Sequence, residues 1–187
     1  MAVRQLAQQT FEQFALGDPE RQWEMHRGHL REKPGMSIEH NDLMFYLGLL
    51  IQNQLSRDQY RLRTNAGHLR STGRSYYIPD VSVVPVSYTE HRLGQPGVLE
   101  VHDAPLPFVA EIWSRTTGPY DVDKKLPEYR RRGDLEIWRV HPYERTVVAW
   151  RRQSDGSYTE ATYGGGKVEV SSLPGVTIDL DQLFARV

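Results

Sequence analysis

The sequence predicts an α/β fold, a mixed β-sheet with α-helices packed on it, in a single domain over residues 1–187. Three observations carry this prediction. Helix-spaced apolar residues come first, near 5–16 and again over 38–55. Two short, almost wholly apolar runs follow, at 81–86 and 108–113, as expected of strands covered on both faces. Segments rich in Gly and Pro separate these runs and return the chain between them.

The elements follow in order. Leu6, Phe11 and Phe14 lie near helical spacing, and Gly17-Asp18-Pro19 ends that first helix. Residues 20–27 are expected to add one more helical turn with Trp23 and Met25 inward, and a short strand follows over 28–33. Ser37 is placed as an N-cap, because its hydroxyl can accept from a backbone amide in the first turn. The helix after it is apolar around most of its circumference, which predicts a long, well-buried helix. From Tyr60 to Val86 the residues are of strand type, broken by Asn65-Ala66-Gly67 and Ser71-Thr72-Gly73. Residues 87–105 read as a long loop. Residues 121–132 form a helix candidate that Gly133 stops at C′. Residues 136–140 and 146–150 alternate as two strands. Short strands and a last helical turn near 180–185 complete the chain. Gly164-Gly165-Gly166 lacks a following Lys-Ser/Thr and reads as a turn, not a phosphate loop.

Composition excludes several chemistries. There is no cysteine, so disulfides, zinc thiolates and thiol nucleophiles are absent. No HxH, HExxH or GxSxG spacing occurs, which argues against zinc hydrolases and serine hydrolases. A metal would have to use carboxylate, imidazole or carbonyl ligands, which suits Mg²⁺ or Mn²⁺. The net charge of −1 is not that of a protein that coats DNA by bulk electrostatics, although a local basic patch remains compatible with it. No apolar run reaches the roughly 18 residues of a membrane span. Residues 1–10 contain no signal-peptide core. A cytoplasmic protein without membrane contact is expected.

Acids inside apolar strands mark the candidate site. Asp80 opens the Val81-Ser82-Val83-Val84 run, and Glu111 stands between Ala110 and Ile112. A carboxylate in such a place must be paired or bound to a cation. If the two strands are neighbours, a divalent ion could relieve the repulsion of the two acids and activate a water. The competing structural reading is that Asp80 caps the turn after Pro79 and Glu111 pairs with an arginine such as Arg115. Lys124 and Lys125 begin the following helix, where either could meet a phosphate; a solvated helix face is the alternative. Glu39 and His40 open the long helix as possible ligands or proton carriers.

Five stretches in order resemble the Uma2 family of the PD-(D/E)XK nuclease superfamily. They are MSIEH at 36–40, IPDVSVV at 78–84, PFVAEIWSRTT at 107–117, the Asp121, Lys125 and Tyr129 series, and GDLEIWRVHP at 133–142. The resemblance runs from about residue 10 to the C-terminus. It implies a restriction-endonuclease-like mixed central β-sheet flanked by α-helices. It implies an endonuclease that uses Mg²⁺ (or Mn²⁺) to hydrolyse phosphodiester bonds of DNA. Asp80 and Glu111 would be metal ligands, with Glu39 a further one, and Lys125 (or Lys124) and His40 would complete the catalytic set. Trp113 stands where the superfamily pattern has its lysine, so the lysine would come from the next helix. Pro127 places the start of that helix near Lys124, or distorts it there. A fold that has lost the chemistry and binds nucleic acid, or serves as an interaction module, is the alternative. A homodimer or higher homo-oligomer is a further expectation, since two strands need two sites.

Overall fold

The computed structural model of the chain describes residues 8–72 and 74–185. Helix α1 (Gln8–Gly17) is followed by a hairpin of β1 (Trp23–His26) and β2 (His29–Glu32), and then by α2 (Ile38–Gln52). Strands β3 (Tyr60–Thr64), β4 (His68–Ser71), β5 (Ser75–Tyr77) and β6 (Val81–Pro85) follow. Two 3₁₀ turns and the short β7 (Val101–His102) occupy the Gly/Pro-rich stretch that leads to β8 (Phe108–Ile112). Next come α3 (Gly118–Tyr120), a π-helical turn (Asp121–Lys125) and α4 (Leu126–Arg132). Strands β9 (Glu136–His141), β10 (Thr146–Arg152), β11 (Tyr158–Tyr163), β12 (Lys167–Glu169) and β13 (Thr177–Asp179) precede α5 (Leu180–Leu183). The part of the expected first helix before Gln8 lies outside the described residues.

The strands form three sheets rather than the single one expected. Their orders are β2-β1-β5-β4-β7, β11-β10-β9-β8-β6-β3 and β12-β13. In the six-stranded sheet β8 and β9 run parallel, and β4 with β7 is the parallel pair of the five-stranded sheet, so both are mixed. The chain passes between these two sheets at Asn65-Ala66-Gly67 and again at Ile78-Pro79-Asp80. The Asn65 amide donates to the Asp80 carbonyl at 2.8 Å, which ties the two crossings together.

The six-stranded sheet is covered on both faces. Leu43, Leu47 and Ile51 of α2 pack with Val81, Val83, Phe108, Ala110 and Ile112 on one side. Tyr129 of α4 joins Leu69, Tyr77, Val84 and Val109 on the other. This accounts for the unbroken apolar runs of β6 and β8, in which almost every side chain is buried. Helix α2 begins as expected, with the Ser37 hydroxyl accepting from the His40 amide. It is less buried than its composition suggested: Ile38 is 77% exposed and Phe45 59%. A helix lying on a sheet buries one face only, and the apolar residues of the others stay in solvent.

Residues 20–27 do not form a helical turn. They hold β1, in which Met25 is buried opposite Leu30 and Tyr76. The signal was the turn that follows. Arg27 and Gly28 both have positive φ, 50° and 85°, as the two-residue turn of a tight hairpin requires. The chain also turns helical earlier than Pro127 suggested, at Gly118. The distortion expected near that proline takes the form of the π turn. Proline has no N–H to donate, and its ring crowds the carbonyl four residues back, so the helix widens before it. Gly133 closes α4 with φ 82°.

Gly118 lies against the Trp113 indole, and a Cβ on it would sit 2.2 Å from Nε1. Gly118→Ala is therefore expected to lose about 1–3 kcal/mol by overpacking. The helix-propensity gain of about 1 kcal/mol does not offset this. Urea denaturation checks it; an unchanged midpoint would contradict the contact.

Candidate active site

Ile78 is in neither sheet, and its backbone groups are buried with no strand to pair with. Charged side chains satisfy them. Glu24 of β1 accepts from the Ile78 amide at 2.9 Å, and Lys33 donates to its carbonyl at 2.9 Å. Four buried acids gather around this corner: Glu24, Asp80, Glu111 and Asp121.

Asp80 holds its place through three strong bonds. Its Oδ2 accepts from His40 Nε2 at 2.9 Å and from the Ile112 amide at 2.8 Å, and its Oδ1 accepts from Lys33 Nζ at 2.8 Å. The bond to Ile112 spans two strands, so Asp80 does not cap a local turn. Burial alone would push the Asp80 carboxyl up. Lys33, then His40 and Lys125, outweigh it and hold the group well below the usual carboxylate range.

Glu111 faces Lys125 and Tyr129. Lys125 Nζ donates to its Oε1 at 3.2 Å, and the Tyr129 hydroxyl donates to the same oxygen at 2.5 Å. Arg115, the alternative partner, is exposed. Burial pushes the Glu111 carboxyl up, Lys125 pulls it back, and the neighbouring Asp80 and Asp121 carboxylates add to the rise. The upward shift prevails. Lys125 also pairs with Glu24 at 2.9 Å and lies 3.6 Å from Asp121. Burial would lower the Lys125 ammonium, but Glu111 and Glu24 together raise it well above its ordinary value.

The structure thus brings Asp80, Glu111, Lys125 and His40 into one buried cluster. It leaves Lys124 exposed and points Lys125 inward. Glu39 stays outside; its carboxylate engages the Ser37 side chain at the start of α2. Trp113 turns away as well and stacks on His141 with ring centroids 4.3 Å apart.

Sequence reading missed Glu24, Lys33 and the role of Tyr129. Glu24 could have been suspected as an acid between Trp23 and Met25. Tyr129 continues the four-residue spacing of Asp121 and Lys125, which puts the three on one side of a helix. Lys33 had no local signal, because only the fold makes it buried.

Four carboxyl groups face two ammonium groups. The four acids thus outnumber the buried ammonium groups of Lys33 and Lys125 by two. One acid oxygen, Asp121 Oδ1, is buried without a hydrogen-bond partner. An all-oxygen donor set in which acids outnumber ammonium groups suits one hard divalent cation, whose charge would favour the ionised form of Glu111. Among the described residues no three Asp, Glu or His groups already form a metal cage. Mg²⁺ does not require one, since it commonly takes one or two carboxylates and completes its shell with water and phosphate. The donors therefore fit such an ion.

No curated protein matches this chain. A crystal structure described as a "putative nuclease belonging to DUF820" from Anabaena variabilis superposes with a TM-score of 0.72 at 19% sequence identity, covering 89% of this chain and 91% of that one. At that identity the likeness shows the fold. The model of the Uma2 family, described as "Putative restriction endonuclease", matches residues 8–181. That span takes in both mixed sheets and every member of the acid cluster, and the chain belongs to the Uma2 family.

Proposed function

We propose that this protein is a divalent-metal-dependent endonuclease that hydrolyses phosphodiester bonds of DNA. The carrying observation is the buried Asp80–Glu111–Lys125 cluster, with its excess of acids over ammonium groups and an inward lysine. Asp80 and Glu111 would hold Mg²⁺ or Mn²⁺. When bound, such an ion supplies an acidified water and neutralises charge on the phosphate.

The chain's own residues do the rest. The Ile112 amide and His40 Nε2 fix the plane of the Asp80 carboxylate. The Tyr129 hydroxyl orients Glu111. Lys125 Nζ, held among Glu24, Glu111 and Asp121, offers a fixed positive charge against the charge that builds on the phosphoryl oxygens. Burial strengthens that interaction, because little water competes with it.

Supercoiled plasmid incubated with Mg²⁺ or Mn²⁺ should be nicked and linearised, and chelation should stop the reaction. Absence of cleavage with both ions would refute the proposal. The ions should also raise the melting temperature. At a hundred times the dissociation constant, binding adds about 2.7 kcal/mol, or roughly 5–10 °C for a chain of this size. Differential scanning fluorimetry reads this directly. The closed ion pairs on Asp80 favour a second reading, a nuclease fold that binds nucleic acid without cutting it. That protein would show no metal-dependent stabilisation.

A further inference from the structure

Asp80 presents its two oxygens unequally. Oδ2 is committed to two donors, His40 Nε2 and the Ile112 amide, which use both its lone pairs. A cation can reach Asp80 only through Oδ1, and Lys33 Nζ sits there at 2.8 Å. The Lys33 side chain is 4% exposed, so water screens it little. An ammonium and a divalent ion on one buried oxygen would repel each other strongly. They are therefore alternatives.

The surroundings give the ammonium somewhere to go. A cavity of about 340 Å³ is lined by Arg21, Lys33, His40, Asn41 and Asn65. Two buried atoms of that lining, His40 Nδ1 and Asn65 Oδ1, have no hydrogen-bond partner. In the neutral tautomer that donates Nε2–H to Asp80, Nδ1 is an acceptor. Two unused acceptors thus stand on the wall that Lys33 already helps to form. Lys33 itself follows β2 directly and precedes Pro34-Gly35, outside any helix or strand.

We propose that Lys33 is an internal counter-ion that occupies the cation position on Asp80, and that it moves toward the adjoining cavity when the divalent ion binds. The proposal rests on the metal-dependent reading given above. It makes Lys33 a positioning residue that sets how much metal the protein needs. A purely structural Lys33 would leave metal affinity unchanged or lower it on removal. A competing Lys33 raises that affinity on removal, which is the opposite sign.

The test is Mn²⁺ binding by isothermal titration calorimetry on the full chain. If the Lys33–Asp80 pair is closed about nine-tenths of the time, Lys33→Gln tightens Mn²⁺ about tenfold. The Mn²⁺ midpoint for plasmid cleavage moves down by the same factor. Arg31→Gln removes an equal charge from the same hairpin; Arg31 lies over the Tyr120 ring. It should change binding by less than about twofold. Equal or weaker binding by folded Lys33→Gln overturns the proposal, as does an equal gain in Arg31→Gln. Should the glutamine variant not fold, Lys33→Arg decides. A permanently charged fork holds Asp80 more firmly, so Mn²⁺ binding weakens; unchanged or tighter binding overturns the proposal. Failure of the wild type to bind Mn²⁺ removes the metal-dependent reading itself, and this inference with it.

Discussion

Asp80→Asn is expected to cut plasmid cleavage about a thousand-fold, the rate equivalent of losing several kcal/mol of charge stabilisation. Asparagine keeps an oxygen at Oδ1 for Lys33 and nearly the same shape, but its amide nitrogen then faces two donors, His40 Nε2 and the Ile112 amide. It removes the negative charge for which His40, the Ile112 amide and Lys33 all converge. Lys33 and those two donors are then poorly matched, so some stability is lost as well. Circular dichroism separates this from unfolding. A folded Asp80→Asn protein that cleaves within about tenfold of wild type would place the chemistry elsewhere.

Lys125→Met is expected to have the largest effect on stability. Lys125 is 2% exposed and holds Glu24 and Glu111, with Asp121 nearby. Removing one partner of a buried pair costs about 3–5 kcal/mol, because the remaining charge is stranded. The melting temperature should fall by roughly 6–20 °C, and cleavage should be lost. Adding Glu24→Gln relieves one stranded charge, so the double variant should regain part of the stability without regaining activity. Urea denaturation of the four proteins of this cycle measures the coupling. Additive losses would mean that the Lys125–Glu24 contact at 2.9 Å carries no energy. A Lys125→Met protein as stable as wild type would refute the whole account of the cluster.

The parts of the fold with a strong local signal were legible. Ser37 caps α2, Gly133 closes α4, and the apolar runs at β6 and β8 are the central strands. Their acids, Asp80 and Glu111, could be singled out because a charge in a buried strand needs a partner. The division of the strands into two mixed sheets was not legible, since it depends on long-range pairing such as Met25 with Tyr76. Strand β1 was misread as helical because four residues of mixed polarity carry no clear period. Glu24, between Trp23 and Met25, escaped with the strand that carries it. Lys33 is an ordinary surface residue by its neighbours in sequence, and only the crossing at Ile78 turns it into part of a site. The choice between Lys124 and Lys125 was partly legible, because the four-residue spacing from Asp121 through Lys125 to Tyr129 puts Lys125 on their shared side.

The hairpin of β1 and β2 brings a consequence for how such a protein can diverge. On the proposed function, the atoms that do chemistry come from the residue just before β6, from β8 and from the helical segment after it. Lys33, which sets the ion demand, follows a separate two-stranded unit at the edge of the five-stranded sheet. Changes in that unit could retune the protein to cells with scarcer or richer Mg²⁺ while the cutting machinery stayed as it is. The control knob and the blade then lie on different pieces of chain, joined at Glu24 of β1, which pairs with Lys125, so that the rest of the hairpin can drift while this one position stays tied to the site.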